Sequence, residues 1–423
     1  MKRRWIYSLL TASLVAGMVG TSYADVKISG GELRLRGIMV DNSESTAALK
    51  DGGFFEQRTR LNAEASADDN TKVFVQIQDS RTWGAEASTV STGTEEEGVG
   101  TGAEALDVSQ AYVDLLNVAN KPLSLRIGRQ AIAYGEHRLI GSLEWSNNAR
   151  RFDAIKLTYK HSAADIDVFT SKISDSGADW GNDVNLNGIY ASLKNVPQVS
   201  NLDLYLLHSV NDGQADANFY TLGGRVKGAV SNINIDYNAE IAIQSGDATS
   251  IADKSANAYA IRAGYTIPNV LGGLRIGVEY DAATGDSGGA AGSAGAAADG
   301  EDEAFSNLYP TNHYLYGYTD DVNWTNMNAW AISASMTPID KLKLAIEYWN
   351  YALDQEVAGD DDNGTELNIK ANHEMSKNVN CEAAYVIRDA GSAAGTASYG
   401  GYGTIPADES ATFGYFMINV KFM

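Results

Sequence analysis

Residues 121–151 read KPLSLRIGRQAIAYGEHRLIGSLEWSNNARR and hold Arg126, Arg129, Arg138, Arg150 and Arg151, although the chain carries a formal net charge of −22. A guanidinium stays charged and forks onto carboxylates and phosphates, so its chemistry is recognition of anions. Alternation of apolar and polar residues in Leu123-Ser124-Leu125-Arg126-Ile127-Gly128 places such groups on one side of a strand. The same alternation places Arg34, Arg36, Arg58, Arg60, Arg225, Arg262 and Arg275 on the polar faces of other segments. Acidic side chains share those faces: Glu56, Asp114, Glu240, Glu279, Asp281, Glu347 and Glu366.

Catalytic chemistry has one candidate motif. Residues 285–289, GDSGG, match the serine motif of hydrolases, which needs a His and an Asp brought alongside Ser287. Here the motif opens an Ala/Gly-rich loop with no His in that context, so no enzyme is expected. His137, His161, His208, His313 and His373 stand singly, without metal-ligand spacing, and Cys381 is the sole cysteine. The runs Glu95-Glu96-Glu97, Asp299 to Glu303 and Asp360-Asp361-Asp362 match no calcium loop and read as solvated acid. No metal or cofactor is expected, and the acidic balance argues against nucleic acid.

What positions the arginines is a set of short alternating segments. Residues 1–24 read as a secretory signal peptide, with basic Lys2-Arg3-Arg4, an apolar stretch, and Ser22-Tyr23-Ala24 as the cleavage pattern. Its removal after Ala24 leaves residues 25–423, with no apolar run near the ~18 residues of a spanning helix. In 233–244, INIDYNAEIAIQ, odd positions are apolar and even positions polar except Ala242. Strands are expected at 26–40, 54–65, 72–83, 106–116, 123–133, 150–160, 164–173, 185–194, 202–210, 218–228, 233–245, 256–266, 274–284, 327–336, 342–350, 366–375, 379–388 and 412–422.

That pattern predicts an all-β, antiparallel, up-and-down transmembrane barrel of about 18 strands, in one domain, with a wet interior. Connections are expected to alternate strictly, with short turns such as 66–71, 117–122 and 337–341, and long loops such as 84–105, 134–149, 285–326 and 389–411. Pro122, Pro197, Pro268 and Pro338 fall in expected turns, Pro310 and Pro406 in loops, and none inside a strand. Tyr280, Tyr348 and Trp330 fall on the apolar face, as an aromatic girdle at the membrane boundary would. The outer face would meet outer-membrane lipid, but its pattern sets no oligomeric state.

Several stretches resemble the alginate export family of outer-membrane barrels: QRTRLNAEA (57–65), FVQIQDSRTWG (74–84), LRIGRQAIAYGEHRLIGSLEWSNNARRFDAIKLTY (125–159), FSNLYPTNHYLYGYTD (305–320) and GTELNIKANHEMSKN (364–378). The resemblance implies an eighteen-stranded barrel and passage of an anionic polysaccharide of alginate type through an arginine-lined pore.

Two readings of the arginines stay open. Arg36, Arg58, Arg60, Arg126, Arg225, Arg262 and Arg275, with Arg129 and Arg138 in second rank, select anionic or polar solutes; or they pair with the acidic residues in ladders that brace the wall. The corresponding functions are a passive anion-favouring channel and a general diffusion porin for small hydrophilic solutes. A membrane-embedded hydrolase using Ser287 is a remote third.

Overall fold

The computed structural model describes residues 25–41, 52–83, 106–175, 183–212, 217–287, 300–394, 397–398 and 404–422. The proposed signal peptide and Glu95-Glu96-Glu97 lie outside them.

Alternating segments form the strands, because a period of two puts one residue set on each face. The first third of the wall is β1 (Asp25–Asp41), β2 (Gly52–Ser66), β3 (Thr71–Thr82), β4 (Asp107–Leu115), β5 (Leu123–Gln130) and β6 (Phe152–Lys160). It continues through β7 (Ala164–Ser174), β8 (Val184–Leu193), β9 (Val199–Asn211), β10 (Ala217–Val230), β11 (Ile235–Thr249) and β12 (Ala252–Ile267). Then come β13 (Leu274–Ala283), the two-residue β14 (Glu301–Asp302), β15 (Met327–Ile339), β16 (Leu342–Val357), β17 (Asp360–Ser376) and β18 (Val379–Asp389). Two further short strands, β19 (Ala397–Ser398) and β20 (Thr404–Ile405), pair only with each other, and β21 (Ser410–Phe422) ends the wall. One 19-stranded sheet results; β14 is a parallel annex on β12, so eighteen strands make the wall. The wall pairs antiparallel throughout and closes where β1 meets β21, from Gly31 opposite Phe422 to Asp41 opposite Thr412. Closure leaves no strand edge, which a bilayer requires.

The polarity is inverted relative to a soluble sandwich. On β11, Ile241 and Ile243 are 53% and 51% exposed, whereas Glu240 and Gln244 are 8% and 1% exposed. Tyr280, Tyr348 and Trp330 stand on the outward face, all substantially exposed. The apolar outside suits hydrocarbon, and the polar set is turned inward.

Two expectations about the connections are corrected. Strict short–long alternation fails at the end opposite the termini, where β11 and β12 are joined by residues 250–251 and β16 and β17 by residues 358–359. These strands run on past the expected boundaries instead of giving way to loops. At the second hairpin Ala358 and Gly359 both take positive φ, 55° and 86°, the backbone of a tight twisted turn. Pro338 lies inside β15 rather than in a turn. It is accommodated because the β15–β16 register shifts between Met336 and Ile339, so no ladder bond is asked of its missing N–H.

The barrel interior holds a core of its own. The β5–β6 connection, residues 131–151, and the β13–β15 connection, described over 284–287 and 300–326, both fold inward. Ile132, Leu139 and Ile140 from the first meet Phe305, Leu315, Tyr316 and Trp324 from the second in one buried cluster with the wall residues Phe152, Phe169, Leu186 and Trp349.

Candidate functional site

The inner face of β1–β3 is a row of donors, and residues 144–148 of the first loop supply the acceptors. Arg34 Nη1 donates to the Glu144 carbonyl at 2.7 Å, and its Nη2 reaches the Ser146 carbonyl and Asn147 Oδ1, each at 3.2 Å. Arg36 Nη1 donates to the Trp145 carbonyl at 2.9 Å, while its guanidinium lies 3.9 Å from the centre of the Trp145 ring. Arg58 Nη1 donates to the Glu144 and Ser146 carbonyls at 3.0 and 3.1 Å. Arg60 Nη1 donates to the Glu144 carboxylate at 2.6 Å. Ser80 and Gln78 take the Asn147 and Asn148 carbonyls. An irregular segment cannot satisfy its own carbonyls, and inside a barrel the wall must do it. Glu144 is the hinge of this docking. Burial alone would raise its carboxyl, but the charges of Arg60, Arg151 and Arg58 outweigh it and hold the group at about 2.

A second anchor lies across the lumen. Arg138, buried, donates to Glu279 and to the Tyr316 hydroxyl at 2.8 Å each, with Asp281 at 3.5 Å and Glu240 at 3.9 Å. Its burial opposes the charge, yet the surrounding carboxylates push its pKa well above the ordinary value. Glu136 of the same loop sits among Lys227, Arg225 and Arg262 at 3.1, 3.4 and 3.6 Å. The two loops are stitched together: Gly141 N donates to the Tyr309 carbonyl, Tyr309 N to Leu139, and Thr311 N to His137. The second loop is tied to the wall by a 2.9 Å ion pair between Asp321 and Arg388 and by Glu366, which accepts from Tyr318 N at 2.6 Å and from the Thr319 hydroxyl. Gly317 makes this possible, with φ +89° and the Glu366 carboxylate where a Cβ would stand. His313 stacks on Trp145 at 3.8 Å, and its burial lowers its pKa despite Asp320 beside it.

The structure places the candidate arginines as follows. Arg36, Arg58, Arg60, Arg126, Arg225, Arg262 and Arg275 all point inward, and each has a carboxylate partner: Glu56, Glu32, Glu144, Asp114, Asp203, Glu279 and Asp236 in turn. Arg138 points inward from the loop. Arg129 has the outward parity of Leu125 and Ile127 on β5 and pairs with Asp153 at 2.9 Å, yet it also borders the recess of Gln78, Ser80 and Arg151. Of the candidate acids, Glu56, Asp114, Glu240, Glu279 and Asp281 meet arginines, Glu366 holds the second loop's backbone, and Glu347 lines a recess with Lys343 and Lys370. Sequence reasoning missed Glu32, Glu136, Glu144, Asp203, Asp236, Asp321 and Arg388. Period-two parity could have placed Glu32, Asp203, Asp236 and Arg388 on the inner face; nothing local marked the loop residues Glu136, Glu144 and Asp321.

Ser287 hydrogen-bonds to Glu303. Among the described residues no three His, Cys, Asp or Glu side chains are grouped to hold a metal.

Open space remains on either side of the plug. One recess, of about 270 Å³, is lined by Gln78, Ser80, Asp107, Ser109, Asn148 and Arg151 among others. Another, of about 360 Å³, lies toward the termini, with Asp114, Arg126, Tyr134, Lys156, Asp167 and Tyr190 in its lining.

A closed antiparallel barrel, greasy outside and ionic within, with loops narrowing its lumen, defines an outer-membrane channel. The sequence model for alginate export matches residues 25–386, and the chain belongs to the alginate export family. It is a non-enzymatic channel for polar or anionic solutes. Similar solved structures include Acinetobacter baumannii OccAB2, at 12% identity and TM-score 0.62 over 93% of this chain and 97% of that one. Pseudomonas aeruginosa OccK9 (OpdG) gives 12% and 0.61 over 94% and 98%. Pseudomonas aeruginosa OccK11 (OpdR) gives 9% and 0.58 over 94% and 96%. These likenesses establish the fold. No curated protein matches the chain.

Proposed function

We propose that this channel favours anionic, hydroxyl-rich solutes, an acidic polysaccharide of alginate type or its fragments being the class its family suggests. Residues 1–24 serve as a signal peptide cleaved after Ala24, and 25–423 form one barrel domain in contact with outer-membrane lipid. The observation that carries the reading is a set of lumen cations to which no carboxylate is bonded. Among the described residues Arg34 bonds only neutral oxygens, and Arg150 bonds only the carbonyls of Gly141 and Pro310. Lys160, in the inner recess, has no ion-pair partner among the described residues. A narrow site that presents such cations to a passing solute lowers the barrier for anions. The paired arginines favour a second reading, a general diffusion porin whose ladders brace the wall.

Reversal potentials in a salt gradient across a planar bilayer separate the two. Chloride is expected to pass in preference to potassium, and Arg34→Gln with Arg150→Gln to reduce that preference. An acidic oligosaccharide is expected to interrupt the current where a neutral one of equal length does not. Equal permeability of both ions, unchanged in the double variant, would establish the diffusion porin instead.

A further inference from the structure

The two recesses lie above and below the same pair of strands. On β4, Ser109 lines the outer recess and Asp114 the inner one; on β5, Arg126 lines the inner one. Between them on the inner face stand Tyr112, stacked on Phe74, and a layer of amides. Gln110 Nε2 donates to Gln76 Oε1 at 3.2 Å, and Gln110 Oε1 accepts from Ala131 N at 2.9 Å. Gln130 Nε2 donates to the Ala154 carbonyl at 3.0 Å, and Arg151 Nη2 approaches Gln76 Oε1 at 3.5 Å.

The layer is buried but not satisfied. Gln130 Oε1, Ser109 Oγ and Arg151 Nε have no hydrogen-bond partner among the described residues. Buried polar atoms in such a state belong where water or a solute group completes them.

Partnerless buried polar atoms occur elsewhere too, Asn368 Oδ1 and Nδ2 and the Trp324 and Trp349 Nε1 among them, but there the described plug meets the wall mainly through apolar or charged contact. Over β6–β9 it meets the wall through Ile132, Leu139 and Ile140 against Phe152, Phe169 and Leu207, and over β11–β16 through Trp324 and Tyr316 against alanines and Trp349. Over β1 and β2 it is held by buried guanidiniums on carboxylates and carbonyls. An apolar contact offers a hydrophilic solute nothing, and breaking a buried charged contact leaves a charge unpaired away from water. Exchanging one neutral amide bond for another with a solute hydroxyl or carboxylate keeps the number of hydrogen bonds and costs little.

We infer that solutes cross the plugged waist off-centre, along the β3–β5 wall, and that Gln76, Gln110 and Gln130 are the gate they pass. This rests on the channel reading and adds the route. The recess on the opposite side of the lumen, lined by Arg275, Ser333, Ser335 and Lys343, is then a dead end under the plug.

Two serines at similar depth make the test. In a Cys381→Ser background, Ser124→Cys and Ser335→Cys are each labelled from the terminus-bearing side with a charged methanethiosulfonate, and single-channel conductance is read before and after. Labelling at 124 is expected to lower conductance roughly twofold or more, since it places bulk and charge in a narrow path. Labelling at 335 is expected to leave it unchanged. Gln110→Ala, which shortens a gate side chain, is expected to raise conductance, with heat-modifiable gel mobility confirming the folded barrel. Equal effects at 124 and 335, or a block at 335 alone, would overturn the route. Unaltered conductance in folded Gln110→Ala would overturn the gate. A parent barrel that carries no current at all would instead overturn the channel reading itself.

Discussion

At the scale of residues, the lumen arginines have more than one employment. Parity alone made their inward direction legible, since a strand leaves each side chain only two faces. Partners were legible only where register supplies them. Arg36 stands opposite Glu56, Asp114 opposite Arg126, and Arg262 opposite Glu279 in adjacent strands. Arg138 and Glu279 are far apart in the chain, and no local pattern announces a contact made by a loop folding back into the barrel. Glu144 shows what that contact adds. Its carboxyl is held at about 2, below its ordinary 4.5, so the docking it contributes is complete above about 4.5 and is lost as pH falls through about 2. Conductance of the parent is therefore expected to rise as pH is lowered across that window, as the 144–148 segment loosens. In Glu144→Gln the rise is expected to flatten, with the neutral-pH conductance already shifted toward the acid value. Parallel pH profiles for the two proteins would show that another group controls the docking.

At the scale of elements, strands were readable and loops were not. The expected segment 164–173 and the observed β7, Ala164–Ser174, differ by one residue, because turn chemistry fixes a strand's end near the termini. At the other end strands stop where the wall ceases to pair, which depends on neighbours, and so β11–β12 and β16–β17 outran expectation. The loops' inward course depends on contacts that sequence spacing does not encode, above all the stitch between residues 137–141 and 309–311. Gly141 is the tight point of that stitch: a Cβ there would stand 2.2 Å from Thr311 Oγ1 and 2.8 Å from its backbone nitrogen. Backbone cannot yield as a side-chain tip can. Gly141→Val is expected to part the loops while the wall stays closed, raising conductance and opening 131–151 to limited proteolysis. Heat-modifiable mobility should remain that of the parent. A variant that resists protease as the parent does would mean that the wall anchors alone hold the plug.

At the scale of the whole molecule, the controlling fact is the inversion of inside and outside. Adjacent residues of one strand then face opposite solvents, and β16 offers a matched pair. Ile346 is 46% exposed on the outward face, one step toward the termini from the Trp330–Tyr348 girdle, where hydrocarbon should surround it. Ala345 turns inward and borders the recess that also holds Lys343 and Glu347. An arginine near the middle of the lipid face costs about 2–4 kcal/mol, because its charge must be drawn toward headgroups or water must follow it in. One in the wet lumen keeps its hydration and costs less than about 1 kcal/mol. Reversible denaturant unfolding from phospholipid vesicles is expected to show that difference between Ile346→Arg and Ala345→Arg. A soluble sandwich with the apolar face as its core would also penalise Ile346→Arg, but it would unfold without vesicles and with no dependence on bilayer thickness. For the barrel, the cost at Ile346 is expected to grow in thicker bilayers, where the charge lies farther from either headgroup layer, while the cost at Ala345 stays constant. Identical costs at both positions would mean that β16 does not divide lipid from water.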